Sequence, residues 1–296
     1  MSGISPIQPG PRAEEVAAAA LWADTADTAD TADSVGGAAL VVRRLADPPE
    51  GRRWTALATP DLDGVVFASM SGEDAGHIDL IAVDPAAQGR GIGRALLEAA
   101  EEWLRAQGAI EARFRGNPPC YGWPGIDVRY TPAVCLAESW GYERYHAAWN
   151  MTVDLPVPAG GEEDDLARLA SAGVALHAAP AGERAEVAAF VREQWNANWA
   201  WEAEQATGLH YAVCDGEILG FAAWGSRPLW FGPMGTAEAA RGLGVGRVLL
   251  RRCLAEQAAA GLSSAQISWV GPIRFYSRAV AARVERVFWL YRRPLR

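Results

Sequence analysis

The ten residues Gln88–Leu97, QGRGIGRALL, return as RGLGVGRVLL over Arg241–Leu250. A strand-like run precedes each copy, HIDLIAVDP the first and LWFGPMGT the second. A helix follows. After the first copy Leu96, Leu97, Ala100, Trp103 and Leu104 fall on one helical face. Glycine admits positive φ and lets a ligand approach the backbone, while the start of a helix presents unpaired N–H groups and the positive end of its dipole. A glycine turn between strand and helix is therefore an anion cradle suited to a diphosphate. The central glycines Gly93 and Gly246 are 246 − 93 = 153 residues apart, and so are Gly108 and Gly261, which stand where each helix should stop. The chain reads as an internal duplication.

Its bulk properties agree. At 296 residues the chain suits about two domains of roughly 150 residues each. Half of the residues are hydrophobic (50%) and 21% are charged, a globular mixture with no apolar run of membrane-spanning length. No basic flank followed by an apolar core marks a secretory signal near the start, so a soluble, cytoplasmic protein without a membrane partner is expected. Cys120, Cys135, Cys214 and Cys253 are widely spaced and form no C-x-x-C pair, the pattern of reduced structural thiols rather than a disulfide framework or a metal site. A net charge of −9 argues against nucleic acid as a partner and suits a cationic small molecule such as an amine. Every basic side chain is an arginine, which rules out Schiff-base and pyridoxal-phosphate lysines and the Walker-type phosphate lysine.

Along the chain, residues 1–37 form a lead-in, with a helix expected near 12–24 and the low-complexity TADTADTADS as a polar extension or loop. ALVVRRL and GVVFASM read as strands from their branched, apolar content, and IEARFRG as another after the first glycine-turn helix. A Pro/Gly-rich loop, PPCYGWPGIDVRYTP, leads to a short helix and the strand HAAWNMTVDL, which closes a first domain over 1–155. Residues 156–173 combine proline, glycine and an acidic run and read as a linker with room for a short helix; 174–296 form the second domain. There GVALHAA is a strand, AGERAEVAAFVREQW a helix, HYAVC and ILGFAAWGS a hairpin, and VERVFWLYR a final strand.

Read from Gln88 and from Arg241, the turns spell Gln-x-x-Gly-x-Gly and Arg-x-x-Gly-x-Gly. A dinucleotide-binding Rossmann unit would need a further parallel strand carrying an acidic residue about 20 residues beyond the glycines, where this sequence is still helical. Both turns instead resemble the acetyl-CoA motif [QR]-x-x-G-x-[GA] of the GNAT acetyltransferases, and the flanking elements resemble that family over about 38–155 and 174–296. The resemblance implies an α/β, tandem GNAT fold: two copies of a mixed, largely antiparallel central sheet flanked by helices. It implies acetyl-CoA as cosubstrate, its diphosphate held by Gln88, Gly89, Arg90, Gly91, Ile92, Gly93 and Arg94 and again by Arg241, Gly242, Leu243, Gly244, Val245, Gly246 and Arg247. Pantetheine would pair with the main chains of Ile81, Ala82 and Val83, or of Met234, Gly235 and Thr236. Asn117 matches the family's CoA-contacting asparagine; the second copy lacks a counterpart near Gly271.

Acetyl transfer to a primary amine of a small molecule needs the amine deprotonated, the thioester carbonyl polarised and the departing thiolate protonated. FYSRAVAARVERVF resembles the family segment that carries a proton-donating tyrosine, which puts Tyr276 in that role; the first copy has Ala137 there, which cannot donate a proton. The expectation is thus chemistry in the second domain, by direct transfer. For the base, Glu193, Glu202 and Glu204 lie in the segment matching the family's substrate-lining helices, with Glu202 taken as the candidate and Trp199 as an aromatic wall for the acceptor. His77 and Asp79 sit on the strand where family members often carry a base, yet 153 residues on stand Trp230 and Gly232. Tyr121 and Tyr130, from the loop, are alternative entrants to the first site. The acceptor stays open among amino sugars, aminoglycosides, polyamines and peptide N-termini, with a non-catalytic acyl-CoA-binding module as the rival reading.

Overall fold

Residues 3–22, 35–158, 160–227 and 230–295 are described by a computed structural model of the chain. They fall into two units, Met1–Trp149 with Arg286–Arg296, and Asn150–Glu285. The TADTADTADS stretch lies outside the described residues.

The first unit begins with β1 (Ser5–Pro6), α1 (Pro11–Trp22) and α2 (Val35–Ala46), followed by β2 (Trp54–Ala58), β3 (Gly64–Ser71) and β4 (Ala75–Val83). A 3-10 turn and the first glycine turn then lead to α3 (Ile92–Ala106), β5 (Glu111–Phe114), β6 (Ile126–Asp127), α4 (Thr131–Ser139) and β7 (Glu143–Asp154). Strands β1 to β4 pair antiparallel in chain order, and β5 joins β4 in parallel. Two sequence readings change here. ALVVRRL is helical, because Val41, Val42 and Leu45 recur at helical spacing and are buried against Ala13, Val16 and Ala17 of α1. WTALA, which gave no strand signal, is β2. Its Leu57 faces one core and Ala56 and Ala58 the other, so it lacks the alternation of a one-sided strand.

The second unit holds α5 (Glu162–Ser171), β8 (Ala175–Ala178), α6 (Arg184–Gln194), α7 (Ala197–Glu204), β9 (Gly208–Cys214), β10 (Glu217–Trp224) and β11 (Trp230–Thr236), then α8 (Val245–Ala259), β12 (Ser264–Ile267), α9 (Ile273–Val280) and the start of β13 (Arg283–Pro294). Again β8 to β11 pair antiparallel, and only β11 with β12 is parallel. Helix α5 stands inside the stretch read as a linker. Gly108 and Gly261 end α3 and α8 in the left-handed conformation, φ 96° and 88°, as their spacing implied.

The last strand of each half is shared out unexpectedly. Residues Met151–Asp154 of β7 pair with β12 in the second unit, whereas Tyr291–Pro294 of β13 pair with β5 in the first. Arg286 bonds Asp127, Tyr291 bonds Glu138, and Arg293 holds the buried Glu101 of α3 at 3.0 Å. Tyr291 and Leu295 join the core beneath α3. Among the described residues no helix is long and apolar enough to cross a membrane.

Candidate active site

In the first unit β4 and β5 pair only where Ala75–His77 meet Glu111–Arg113; past this point the strands part. On its other edge β4 carries a bulge. Phe67 faces Leu80 and Ala68 faces Ile78, so Asp79 is the extra residue, and a bulge of this kind re-aims the side chain it carries. The parting strands open a cavity of about 580 Å³, walled by Asp79 to Val83, the glycine turn, Phe114, Arg115, Trp123, Asp127, Tyr130 and Leu136.

The turn itself is built from local bonds. Asp84 accepts from the Ala86 N–H at 2.9 Å, and the Gln88 side-chain amide donates to the Val83 carbonyl at 3.2 Å. Gly89 and Gly91 take φ of 76° and 84°, and a Cβ on either would meet nothing within 4 Å. No side chain caps α3, so its first N–H groups are left to the cavity side. Of the expected donor contacts, Ile81, Ala82, Val83, Gln88, Gly89, Gly91, Ile92, Gly93 and Arg94 line the cavity together. Arg90 does not: its guanidinium turns back to the Ala86 carbonyl at 3.1 Å. Nor does Asn117, which is buried with its amide nitrogen donated to Ser69 Oγ at 2.8 Å and to the Met70 carbonyl at 3.2 Å. The turn and the end of β4 thus line one cavity, whereas Asn117 lies in the interior beside them.

Three titratable groups near the cavity differ sharply. Burial pushes the Asp79 carboxyl up to about 7, against the lowering effects of the Ser69 hydroxyl and the Arg52 charge, and its Oδ1 is enclosed without a hydrogen-bond partner. Such a group exchanges its proton near neutrality. Burial takes His77 the opposite way, down to about 4, outweighing the bond of its Nδ1 to the Arg115 carbonyl at 2.8 Å; the ring is neutral and Nδ1 carries the hydrogen. For Asp127 burial pushes upward, but bonds from Arg129 and the charge of Arg286 prevail and hold it below the usual carboxylate range. Arg286 Nε lies 2.8 Å from Asp127 Oδ2, and its guanidinium carbon stands 4.4 Å from the centre of the Trp123 ring. Asp127 is a paired anion and no base. Tyr130, the loop alternative, reaches the cavity; Tyr121 packs on Gly116 instead. Trp123, Asp127 and Arg286 were missed, for their roles depend on a loop and a distant strand meeting.

The second unit repeats the backbone. β11 and β12 pair only at Trp230–Gln266 and Phe231–Ile267 before parting, and Gly242 and Gly244 take φ of 85° and 97° ahead of an uncapped α8. Yet a carboxylate stands against this turn at Gly244. Asp165 of α5, fully buried, accepts from both Nε and Nη2 of Arg247, lies 3.1 Å from Arg168 Nη1, and has its Oδ1 3.1 Å from where a Cβ on Gly244 would be. Arg168 also reaches the Leu243 carbonyl at 3.3 Å. The turn expected to hold a diphosphate at Arg241–Arg247 thus has a carboxylate of the chain against Gly244, and Arg247, bonded to it, has its pKa raised. Beside it, Trp195 packs so closely on Gly235 that a Cβ there would clash, and Met234 and Thr236 close over Gly246.

The residues expected to do chemistry in this unit lie wholly or partly in the interior. Trp199, half-buried, stacks with Trp195 at 6.0 Å and meets Phe221 at 6.3 Å against the core under α6 and α7. Glu202 is buried on α7. Tyr276 is buried between Phe275 and Phe231, ring centres 5.0 and 6.3 Å away, and burial pushes its hydroxyl above the ordinary phenol range, which makes it a poorer acid.

Residues 20–119 match the family model described as the acetyltransferase (GNAT) family. That match spans the first glycine turn and marks this part of the chain as GNAT-like. A GNAT-like domain there supports acyl transfer in general terms. No curated protein matches the sequence. Among solved structures, the chain is similar to a GCN5-related glucosamine N-acetyltransferase region of a fungal multi-domain GH3 β-N-acetylglucosaminidase, with 17% identity, a TM-score of 0.74 and coverage of 98% of this chain but only 38% of that one. A tandem GNAT protein from the clavulanic acid biosynthesis pathway, solved without AcCoA, is 18% identical with a TM-score of 0.71, covering 99% and 98% of the two chains. A GCN5-related N-acetyltransferase from Sphaerobacter thermophilus is 20% identical with a TM-score of 0.63, covering 99% and 96%. At these identities the likeness is one of fold, and the fold is that of a tandem GNAT.

Proposed function

We propose that the protein transfers an acetyl group from acetyl-CoA directly to a primary amine of a small molecule, with the donor held and the chemistry performed in the first unit. The observation that carries this reading is the contrast between the open turn at Gly89–Arg94, continuous with a cavity that contains Asp79, and the second turn filled by Asp165. It departs from the sequence-based expectation, which rested on the position of Tyr276.

Bound acetyl-CoA supplies a thioester, whose acyl carbon is the electrophile. Main-chain N–H groups of the turn and Arg94 suit its diphosphate, and the unpaired edge of β4 at Ile81–Val83 suits pantetheine. Asp79 accepts a proton from the acceptor's ammonium, freeing the nitrogen lone pair. Tyr130, on the same wall, is the phenol available to return a proton to the leaving sulfur. Phe114, Trp123 and Tyr130 give an apolar surround in which a cationic amine is drawn to the Asp79 carboxylate. Amino sugars head the acceptors to test, since one structural relative is named as a glucosamine N-acetyltransferase.

Release of free CoA thiol, screened over amino sugars, aminoglycosides, polyamines and peptides, tests the proposal. Turnover with an amine is expected, falling about 10²- to 10⁴-fold in Asp79→Asn with donor affinity kept, while Tyr276→Phe stays within about twofold of the parent. CoA binding without turnover on any amine defeats the enzyme reading. Loss of turnover in Tyr276→Phe, with Asp79→Asn active, returns the chemistry to the second unit.

A further inference from the structure

We propose that Ser69 and Asn117 are positioning residues that aim a hydrogen bond at Asp79 through a buried relay, Asn117 amide to Ser69 hydroxyl to Asp79 carboxylate. This rests on reading Asp79 as the proton acceptor of the proposed transfer.

The direction of the relay follows from counting hydrogens. Asn117 is 2% exposed, and its amide nitrogen has two hydrogens, one given to Ser69 Oγ at 2.8 Å and one to the Met70 carbonyl at 3.2 Å. Ser69, 3% exposed, is thereby an acceptor from Asn117 and has a single hydrogen left to direct elsewhere. In the β3–β4 register Ser69 stands opposite His77, and the bulge residue Asp79 follows two positions on, within reach of the Ser69 hydroxyl. His77 already bonds the Arg115 carbonyl through Nδ1. The remaining hydrogen goes to Asp79, where it favours the charged carboxylate.

Asn117 can act this way because its own backbone is clamped. Arg52 donates to the carbonyls of Asn117 at 2.8 Å, of Pro118, and of Cys120 at 3.4 Å, fixing the loop that carries the amide. The same guanidinium is the charge that faces Asp79. On β4 itself His77 is neutral; across the cavity stand Arg115 and the Asp127 carboxylate, the latter neutralised by Arg129 and Arg286. Burial alone would leave Asp79 protonated and inert as a base at neutral pH. The relay opposes burial, so that the carboxylate can take the ammonium proton as one N–H bond breaks and one O–H bond forms. Asn117, expected from the family resemblance to face the donor, thus works from behind the base.

The test follows the titration of Asp79 directly by carbon NMR of the full chain labelled at aspartate carboxyls, assigned with Asp79→Asn, alongside the pH profile of kcat/KM. In Ser69→Ala the Asp79 titration and the acid limb of the profile should both move to higher pH, by about one unit for the loss of one hydrogen bond to a charged group. Ser69→Thr, which restores the hydroxyl, should bring both back. Asn117→Ala should shift them the same way by less, because Ser69 keeps its hydrogen but not its aim. An unmoved Asp79 titration in folded Ser69→Ala overturns the relay, as does an unmoved titration in Asn117→Ala should Ser69→Ala not fold. A titration that moves while turnover is indifferent to Asp79→Asn keeps the relay and defeats the choice of base.

Discussion

Gly91 and Gly244 hold the same left-handed backbone at the head of 15-residue helices, and Arg94 and Arg247 follow them at equal spacing. Around Gly91 the space is open and continuous with a cavity; against Gly244 stands a carboxylate locked to Arg247 and Arg168. The motif therefore encodes a backbone shape that attracts anions. It does not encode which anion arrives. In the second unit that choice is made by Asp165, on a helix far upstream of the glycines, and the carboxylate meets the same positive helix start that a phosphate would. A duplicated cradle can be kept as a structural joint after its ligand has been replaced from within.

The sharpest way to break this comparison is to spoil each turn in the same manner. Gly91→Val forces a β-branched residue to φ near 84° and should weaken CoA binding roughly a hundredfold or more by calorimetry, whereas Gly244→Val should leave binding intact and cost only stability. Equal losses from the two would show two working cradles.

A second comparison empties the filled turn. The parent chain should bind one CoA. Asp165→Ala frees Arg247 and should add a second, weaker site, together with a melting temperature lowered by several degrees, since removing one partner of a buried ion pair leaves the other uncompensated. Two sites of similar affinity in the parent would contradict the assignment of Asp165 as the resident anion.

The smallest effect concerns stability around Asp79. Its pKa in the folded protein, about 7, lies above the ordinary carboxylate value of 3.8, so the folded state holds a proton that the unfolded chain has released between those values. Its contribution to stability is present at low pH and is lost as pH rises toward 7. Asp79→Asn, which keeps a neutral side chain, should accordingly melt a few degrees higher than the parent at pH 8 and close to it at about pH 4. Equal differences at both pH values would mean that the buried carboxyl does not titrate as described.

Much of the architecture was legible because it is local. The glycine turns, the helices behind them and their stopping glycines follow from spacing and φ preference, and the place of Ile81–Val83 and the glycine turn beside one cavity follows from a turn set after a strand. What could not be read is what depends on distant partners. ALVVRRL has strand-like composition and becomes helical because α1 offers a face for Val41, Val42 and Leu45. Tyr276 stands in the right kind of helix but between two aromatic rings, and Asp79 gains its character from a bulge, Ser69 and Arg52 together. Asp165 carries no signal at all in its own segment, where it is one acid among four in the first turn of α5.

The membership of Arg286–Arg296 in the first unit sets an order on biosynthesis. A nascent chain that has emerged as far as residue 285 has its donor turn but not the strand that pairs with β5, nor the arginine behind Asp127 and Trp123. Nothing translated early can be completed early. A product terminated before the final strand would lack the residues that pair with β5 and that bond Asp127 behind the cavity.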